Sequence, residues 1–273
     1  MKYIKLTLTV IAVILMSVSC KSQYEMLLTS SDVDAKYNAA MDYFGNKKYQ
    51  KAAQLFESLA VLTNGTERDD TVQFYWGLSN YRNKDYFTAE SNFASFTENF
   101  PRSAFAGEAQ FYRLDCLYRA TYRWELDQMP TRTCMASIAE FMRERPDDEH
   151  IPACKEMMLD LQERLDRKDF EAGRLYYNME DYPAARLKLQ NVLKTNADNV
   201  YREDVLYYTA MSSYHYARLS VENKQKDRYL TFVDDYLNFV GEYPESKHRS
   251  ELDGLYRKVQ KILGRGGEIQ DEK

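Results

Sequence analysis

The sequence predicts an all-α protein, a solenoid of about five helix pairs closed by a C-terminal capping helix. Three observations predict it: one helical phrase recurs along the chain, a pair of aromatics precedes each copy, and the copies keep a nearly constant step.

The phrase is Tyr-x-x-Ala followed four residues later by Phe or Leu. It reads Tyr49/Ala52/Phe56, Tyr86/Ala89/Phe93 and Tyr182/Ala185/Leu189, with weaker copies at Cys134/Ile138 before Pro146 and at Tyr229/Phe232/Tyr236 before Pro244. Upstream, Tyr37/Phe44, Phe74/Tyr81, Phe111/Tyr118, Phe170/Tyr177 and Tyr207/Tyr214 stand seven residues apart. That is close to two helical turns, so both members share a face. Such a stripe is what a packed helix needs, and tyrosine can bury its ring while its hydroxyl finds a partner. Between the two aromatics sits Ala40, Gly77, Leu114, Gly173 or Ala210, in most copies a residue small enough for another helix to approach. From one central residue to the next the steps are 37, 37, 59 and 37 residues. The long step holds extra sequence between Tyr118 and Cys134 and again between Cys134 and Gly173. A last helix over about 247 to 263 caps the array, and "GRGGEIQDEK" has little to pack. The expected organisation is a signal peptide over 1–19, a lipidated linker over 20–32, the repeat domain over 33–263 and a disordered tail over 264–273.

The leader carries its own chemistry. Fourteen uncharged residues from Leu6 to Ser19 follow Lys2 and Lys5, and "LMSVSCKSQ" then places Cys20 where polar sequence begins. A basic start, a short apolar run and small residues form an export signal; the run falls short of the roughly 20 residues a spanning helix needs. A cysteine at the cut marks lipidation, with Ser17 in the usual leucine position and Leu15 two residues upstream. A plain secreted protein and an uncleaved anchor are the alternatives. Without Lys2 and Lys5 the chain holds 42 acidic against 35 basic residues, a balance that excludes nucleic acid as a partner. Cys116, Cys134 and Cys154 are an odd set inside apolar helical pattern, expected as buried small hydrophobes, with one bridge as the alternative. His150, His215 and His248 lack metal-ligand spacing, so neither metal nor cofactor is expected.

The pattern resembles the tetratricopeptide repeat, helix-turn-helix units with a small residue and tyrosine on the first helix, alanine and Phe on the second, and proline at the exit. "NFPRS" at 99 and "EYPESK" at 242 match that exit, whereas Thr63-Asn64 and Asn196-Ala197 replace it in the first and fourth units. The resemblance implies a right-handed superhelical stack. With the lipidation cysteine, the lengthened third unit containing "RWELDQMPTRT" and the "QERLDRKDFEAGRLYYN" opening of the fourth, the chain resembles the BamD family of outer-membrane lipoproteins. That resemblance implies a non-enzymatic scaffold, lipid-anchored on the periplasmic side of the outer membrane. Its implied partners are a BamA-like insertase and other assembly-machine subunits, held by the C-terminal repeats, and nascent outer-membrane proteins engaged by the N-terminal ones.

Candidate partner-binding residues lie beside the aromatic stripe. Arg82 and Arg119 directly follow the second aromatic in adjacent units. In "YRATYRWELDQ", Arg119 and Arg123 are expected four apart on one helix with Tyr118 and Tyr122 likewise, and Trp124 adds one of only two tryptophans. Tyr, Trp and Arg dominate interface hot spots; a solvated arginine beside an acid, or packing against the fourth repeat, explains the same residues. "HYARLSVENKQKDRY" is expected as an exposed loop. No nucleotide-binding glycine loop, zinc helix or nucleophile elbow is present in the sequence. Another periplasmic repeat adaptor and a glycan-binding lipoprotein are the rival readings, the latter drawing on 23 tyrosines and two tryptophans.

Overall fold

A computed structural model describes residues 23–268. Among the described residues there are twelve helices and no strand. They are α1 (Gln23–Thr29), α2 (Val33–Gly45), α3 (Tyr49–Thr63), α4 (Asp69–Arg82), α5 (Tyr86–Asn99), α6 (Ala106–Arg119), α7 (Met129–Glu144), α8 (Ile151–Asn178), α9 (Tyr182–Thr195), α10 (Arg202–Arg218), α11 (Glu222–Glu242) and α12 (Arg249–Glu268). The five expected pairs are α2/α3, α4/α5, α6/α7, α8/α9 and α10/α11, with α12 as the cap. Contacts gather into two compact units, one of residues up to Thr121 with Pro130–Pro152, the other of Tyr122–Met129 with the chain from Ala153 onward.

Within a pair, the small residue on the first helix receives the large one on the second. A Cβ on Gly77 would lie 2.9 Å from a ring carbon of Phe93, and one on Gly173 would lie 2.5 Å from Leu189 Cδ2. Both receiving side chains are fully buried, as are Ala52, Ala89, Cys134, Ala185 and Phe232 at the alanine position. The two helices of a pair are joined by the same tight turn three times. Lys47, Lys84 and Glu180 take left-handed φ of 59°, 65° and 60°. The residue after each donates its N–H back to Tyr43, Asn80 or Tyr176 at 2.8 to 3.0 Å, closing the helix end as a Schellman turn usually does with glycine. Asp85 and Asp181 then cap the next helix by accepting from Thr88 and Ala184 N–H, both at 3.2 Å.

Between pairs, the residue just before each first helix stacks on the first aromatic of the preceding one. Arg68 lies 5.5 Å from the Tyr37 ring, and Phe105 stacks on Phe74 at 4.5 Å. His150 stacks on Phe111 at 3.9 Å, Tyr201 on Phe170 at 5.3 Å and His248 on Tyr207 at 3.9 Å. Each of these planar groups is held by a turn in which its own N–H donates to the side chain two residues earlier: Thr66, Ser103, Asp148, Asn199 or Ser246. The turn in its turn is tied to the acid four residues before the aromatic. Ser103 Oγ donates to Asp70 at 2.7 Å and Ser246 Oγ to Glu203 at 2.6 Å. Buried Asp166 accepts from Asn196 at 2.8 Å and from Val200 N–H at 3.1 Å. In the third pair Gly107 occupies the acid's place and Asp148 reaches in from the turn, 3.2 Å from where a Cβ would be. The second aromatics meet the tyrosines of their own second helix and of the next first helix. Tyr81 lies 5.6 Å from Tyr86 and 4.7 Å from Tyr112; Tyr177 lies 5.6 Å from Tyr182 and 5.0 Å from Tyr208. The aromatic stripe is therefore packing, as its spacing indicates.

Four expectations about local structure change. Residues 20–32, expected as a linker, contain α1, because Tyr24, Leu27 and Leu28 share a face and pack on the core of α2 and α3. The segment after Tyr118 is not a helical extension: α6 ends at Arg119, and Tyr122, Arg123 and Trp124 lie on an irregular stretch before α7. The second stretch of extra sequence lengthens α8 instead, to 28 residues. "HYARLSVENKQKDRY" is helical except at Leu219–Val221, since Gln225 reaches back to the Arg218 and Ser220 carbonyls at 3.3 and 3.0 Å and closes the end of α10. The cap runs to Glu268, so residues 264–268 of the expected tail are helical. Once Leu252 and Val259 anchor that helix in the core, each further residue adds a hydrogen bond without a new nucleus. The signal peptide, Cys20 and residues 269–273 lie outside the described residues. Cys116, Cys134 and Cys154 are all buried thiols, and burial pushes Cys116 up to about 12, the Asp115 and Glu90 carboxylates adding to it, which makes it inert.

Two outcomes check this packing. Gly173→Val should lower the thermal midpoint by overpacking against Leu189, at a cost of about 1–3 kcal/mol. Gly254→Ala, on α12 where nothing lies within 4 Å of an added Cβ, should raise stability by up to about 1 kcal/mol. A pH titration checks His215, whose ring stacks on Tyr182 at 4.8 Å. Burial first, and Arg218 second, lower its pKa from 6.5. The unfolded chain therefore takes up this proton before the folded one, and stability present above pH 6.5 is lost as pH falls toward the folded value. His215→Phe should flatten the denaturant-midpoint profile over that window; an unchanged slope would remove His215 from the acid response.

Candidate functional site

In the first unit, Arg82 and Arg119 come together around one ring. Their guanidinium carbons each lie 6.0 Å from the centroid of Tyr81, and Arg119 lies 4.9 Å from that of Tyr86. Asp115, one turn before Arg119 on α6, joins them: it accepts from Tyr81 Oη at 2.7 Å and from Arg119 Nε at 2.5 Å. Burial, then the Asp115 hydrogen bond, raise the Tyr81 pKa, while the Asp115 hydrogen bond holds Arg119 charged. Arg82 donates to Tyr112 Oη at 3.4 Å and is exposed. Arg119 is thus half committed to packing between consecutive pairs, whereas Arg82 remains a solvent-facing cation on an aromatic platform.

Tyr122, Arg123 and Trp124 belong to the second unit, on a stretch that lies over α8. Arg167 stacks its guanidinium 4.9 Å from the Trp124 ring. Lys168 Nζ donates to the Leu126 carbonyl at 2.7 Å and to those of Trp124 and Glu125 at 3.4 Å. Gln128 adds bonds from its amide to the Arg123 and Leu126 carbonyls at 2.8 and 3.0 Å. An irregular backbone needs such donors, because no helix supplies them. Trp124 is accordingly half-buried as the anchor of the stretch, while Tyr122 and Arg123 are exposed.

A groove in the second unit was not foreshadowed. Arg186 of α9 makes a bidentate pair with Asp235 of α11 at 2.8 and 3.0 Å, and Ser213 of α10 donates to the same carboxylate at 2.5 Å. Three helices meet at one carboxylate, which lies beside a 210 Å³ pocket that includes Arg186, Tyr216 and Arg228. Arg228 lies 3.9 Å from the Tyr216 ring. The sequence signal for Arg119 was its place directly after the second aromatic; the acid four residues before it, Asp115, is a further local signal. Lys168, Arg167 and Asp235 are joined to their partners over 22 residues or more, a separation that no local pattern reveals.

These groups can hold charge and stack rings, which suits recognition of a protein surface. Among the described residues, no group of three or more His, Cys, Asp or Glu could hold a metal ion, and no helix is long and apolar enough to cross a membrane.

Two solved structures are similar at low identity. A TPR-repeat protein from Bacteroides fragilis NCTC 9343 is 15% identical over 85% of this chain and 100% of its own, with a TM-score of 0.41. The TPR2AB domain of yeast Sti1, solved as a complex with pHSP90, is 12% identical over 84% of this chain and 98% of its own, with a TM-score of 0.42. No curated protein matches the sequence. The family described as "YfiO: Outer membrane lipoprotein" matches residues 30–231, most of the chain and helix pairs of both units. A non-enzymatic, helix-pair scaffold of the outer membrane is the type this family and fold represent, and the chain belongs to the YfiO family of outer membrane lipoproteins.

Proposed function

We propose that this lipoprotein is a scaffold subunit of the outer-membrane β-barrel assembly machine, anchored through Cys20 on the periplasmic side. Its C-terminal repeats hold a BamA-like insertase alongside other assembly subunits, and its N-terminal repeats engage extended segments of nascent outer-membrane proteins. One observation carries the reading: the family match begins at residue 30, ten residues after the cysteine, and continues to residue 231. Export leader, lipidation cysteine and repeat array therefore stand in the order such a subunit needs.

Exposure supports a division of labour among the candidates. Arg82, Tyr122 and Arg123 are exposed, so they supply contact surface. Arg119 is exposed as well but is held by Asp115, Tyr81 and Tyr86, and Trp124 is held by Arg167. Helix-built surfaces recognise partners through such aromatic and cationic side chains.

Purification from detergent-solubilised outer membrane should recover a BamA-like barrel with repeated periplasmic domains; recovery of a sugar-import or other envelope complex in its place would overturn the assignment. Arg82→Glu and Arg123→Glu should each lower that recovery at unchanged thermal midpoint, whereas Arg119→Ala should cost about 1 kcal/mol of stability after solvent screening. Full recovery with both reversed charges would remove them from the interface. Cys20→Ala should release the folded protein from the membrane, and complete retention would remove the anchor.

A further inference from the structure

The helix nearest the anchor is fastened to the first pair at both ends. At its C-terminal end, buried Lys36 of α2 donates to the Leu28 carbonyl at 3.1 Å and to Ser58 Oγ at 2.7 Å, a cation placed where unpaired helix carbonyls favour one. At the other end, Tyr24 Oη lies within hydrogen-bond distance of the Lys51 carbonyl at 3.1 Å and of Gln54 Oε1 at 2.7 Å, donating its one proton between them, and its ring stands edge-on to Tyr43 at 5.4 Å. Two exposed lysines lie against these rings and a third adjoins them in the chain. Lys51 Nζ lies 5.0 Å from the Tyr24 centroid and 5.5 Å from that of Tyr43, Lys48 Nζ lies 5.7 Å from Tyr43, and Lys47 precedes Lys48 in the left-handed turn. None of the three makes an ion pair among the described residues. Of the acids near them in the chain, Asp42 accepts a hydrogen bond from Asn46 at 3.1 Å and Glu25 lies on α1.

We infer that Lys47, Lys48 and Lys51, with Tyr24 and Tyr43, form a headgroup-binding face that seats the first helix pair on anionic phospholipid. The inference rests on the lipid-anchor reading of Cys20. Four residues separate Cys20 from Tyr24, a reach of at most about 14 Å even when fully extended. Because α1 is fastened at both ends, no longer tether lets the first pair swing away. Lys51 lies against the Tyr24 ring and Lys48 against Tyr43, so this face stays close to the bilayer, where the attraction of an anionic surface acts within a Debye length. Tyrosine rings favour the same depth, with an apolar body and a polar tip at the headgroup level. In a chain with a formal charge of −5, a positive face beside the anchor fixes which side meets the membrane.

The test is sedimentation of the full mature chain carrying Cys20→Ser with vesicles of phosphatidylcholine alone or mixed with phosphatidylglycerol. The chain should bind the anionic vesicles selectively and lose binding as salt rises. Lys47→Glu/Lys48→Glu/Lys51→Glu should reduce partitioning about a hundredfold, and the corresponding triple arginine variant should keep it. Equal binding by the glutamate variant, or equal binding to both vesicle types, overturns the headgroup face, and the arginine variant separates charge from folding. Incorporation of labelled palmitate at Cys20 is read in parallel. Its absence overturns the anchor, whereas its presence without vesicle binding overturns the headgroup face alone.

Discussion

In each of the five helix pairs the first aromatic is covered by a single planar side chain that stands just before a later helix. Arg68, Phe105, His150, Tyr201 and His248 each lie on the first aromatic of the pair before. An aromatic contact of this kind contributes about 0.5–1.5 kcal/mol beyond the area it buries, but its geometric effect is larger than its energy. It pins the residue just before the following helix to an aromatic on the first helix of the pair before it. The turn that carries it is fixed by a side-chain cap two residues earlier and, at Asp70, Asp166 and Glu203, by an acid on the first helix of the preceding pair. Stacking and hydrogen bonding therefore act on the same five-residue turn, one supplying attraction and the other direction.

The stripe itself was legible, because its chemistry repeats. The paired aromatics, the small residue between them and the alanine of the second helix recur at positions where only size and apolarity matter. The planar caps were not legible, since arginine, phenylalanine, histidine and tyrosine all satisfy the requirement to be flat and no residue type repeats. The turns within pairs hid for a related reason. Lys47, Lys84 and Glu180 adopt a conformation that usually signals glycine, at a steric cost of about 1–2 kcal/mol each. Helix α1 was missed because its apolar face is only Tyr24, Leu27 and Leu28, too short to register as a period. Of the candidate site, the Asp115–Arg119 pair could be read from its four-residue spacing, while the grip of Arg167 and Lys168 on the stretch around Trp124 depends on residues about 40 positions away.

Charge is used in two ways. Inside, Asp115, Asp166 and Asp235 each draw two or more donors, and Lys36 holds two acceptors. Buried ionic groups that are fully bonded fix one arrangement against alternatives more than they add stability. At the surface, Arg82, Arg123 and the lysines of the α2/α3 turn make no ion pair among the described residues, which leaves their charge free to act on something outside the chain.

A repeat protein built from interchangeable pairs acquires individuality only where the repeat is broken. Here the breaks are the irregular stretch Tyr122–Met129 and the extension of α8 to 28 residues. Both fall in the one long step of the sequence, and the chain's contacts divide into two units in that same region. The irregular stretch survives because α8 is long enough to present Arg167 to the Trp124 ring and Lys168 to the backbone: without Lys168, the carbonyls of residues 124–126 would lose these hydrogen bonds. The lengthened helix and the inserted stretch are thus one device, in which the helix supplies the hydrogen bonds that let a non-helical backbone display Tyr122 and Arg123.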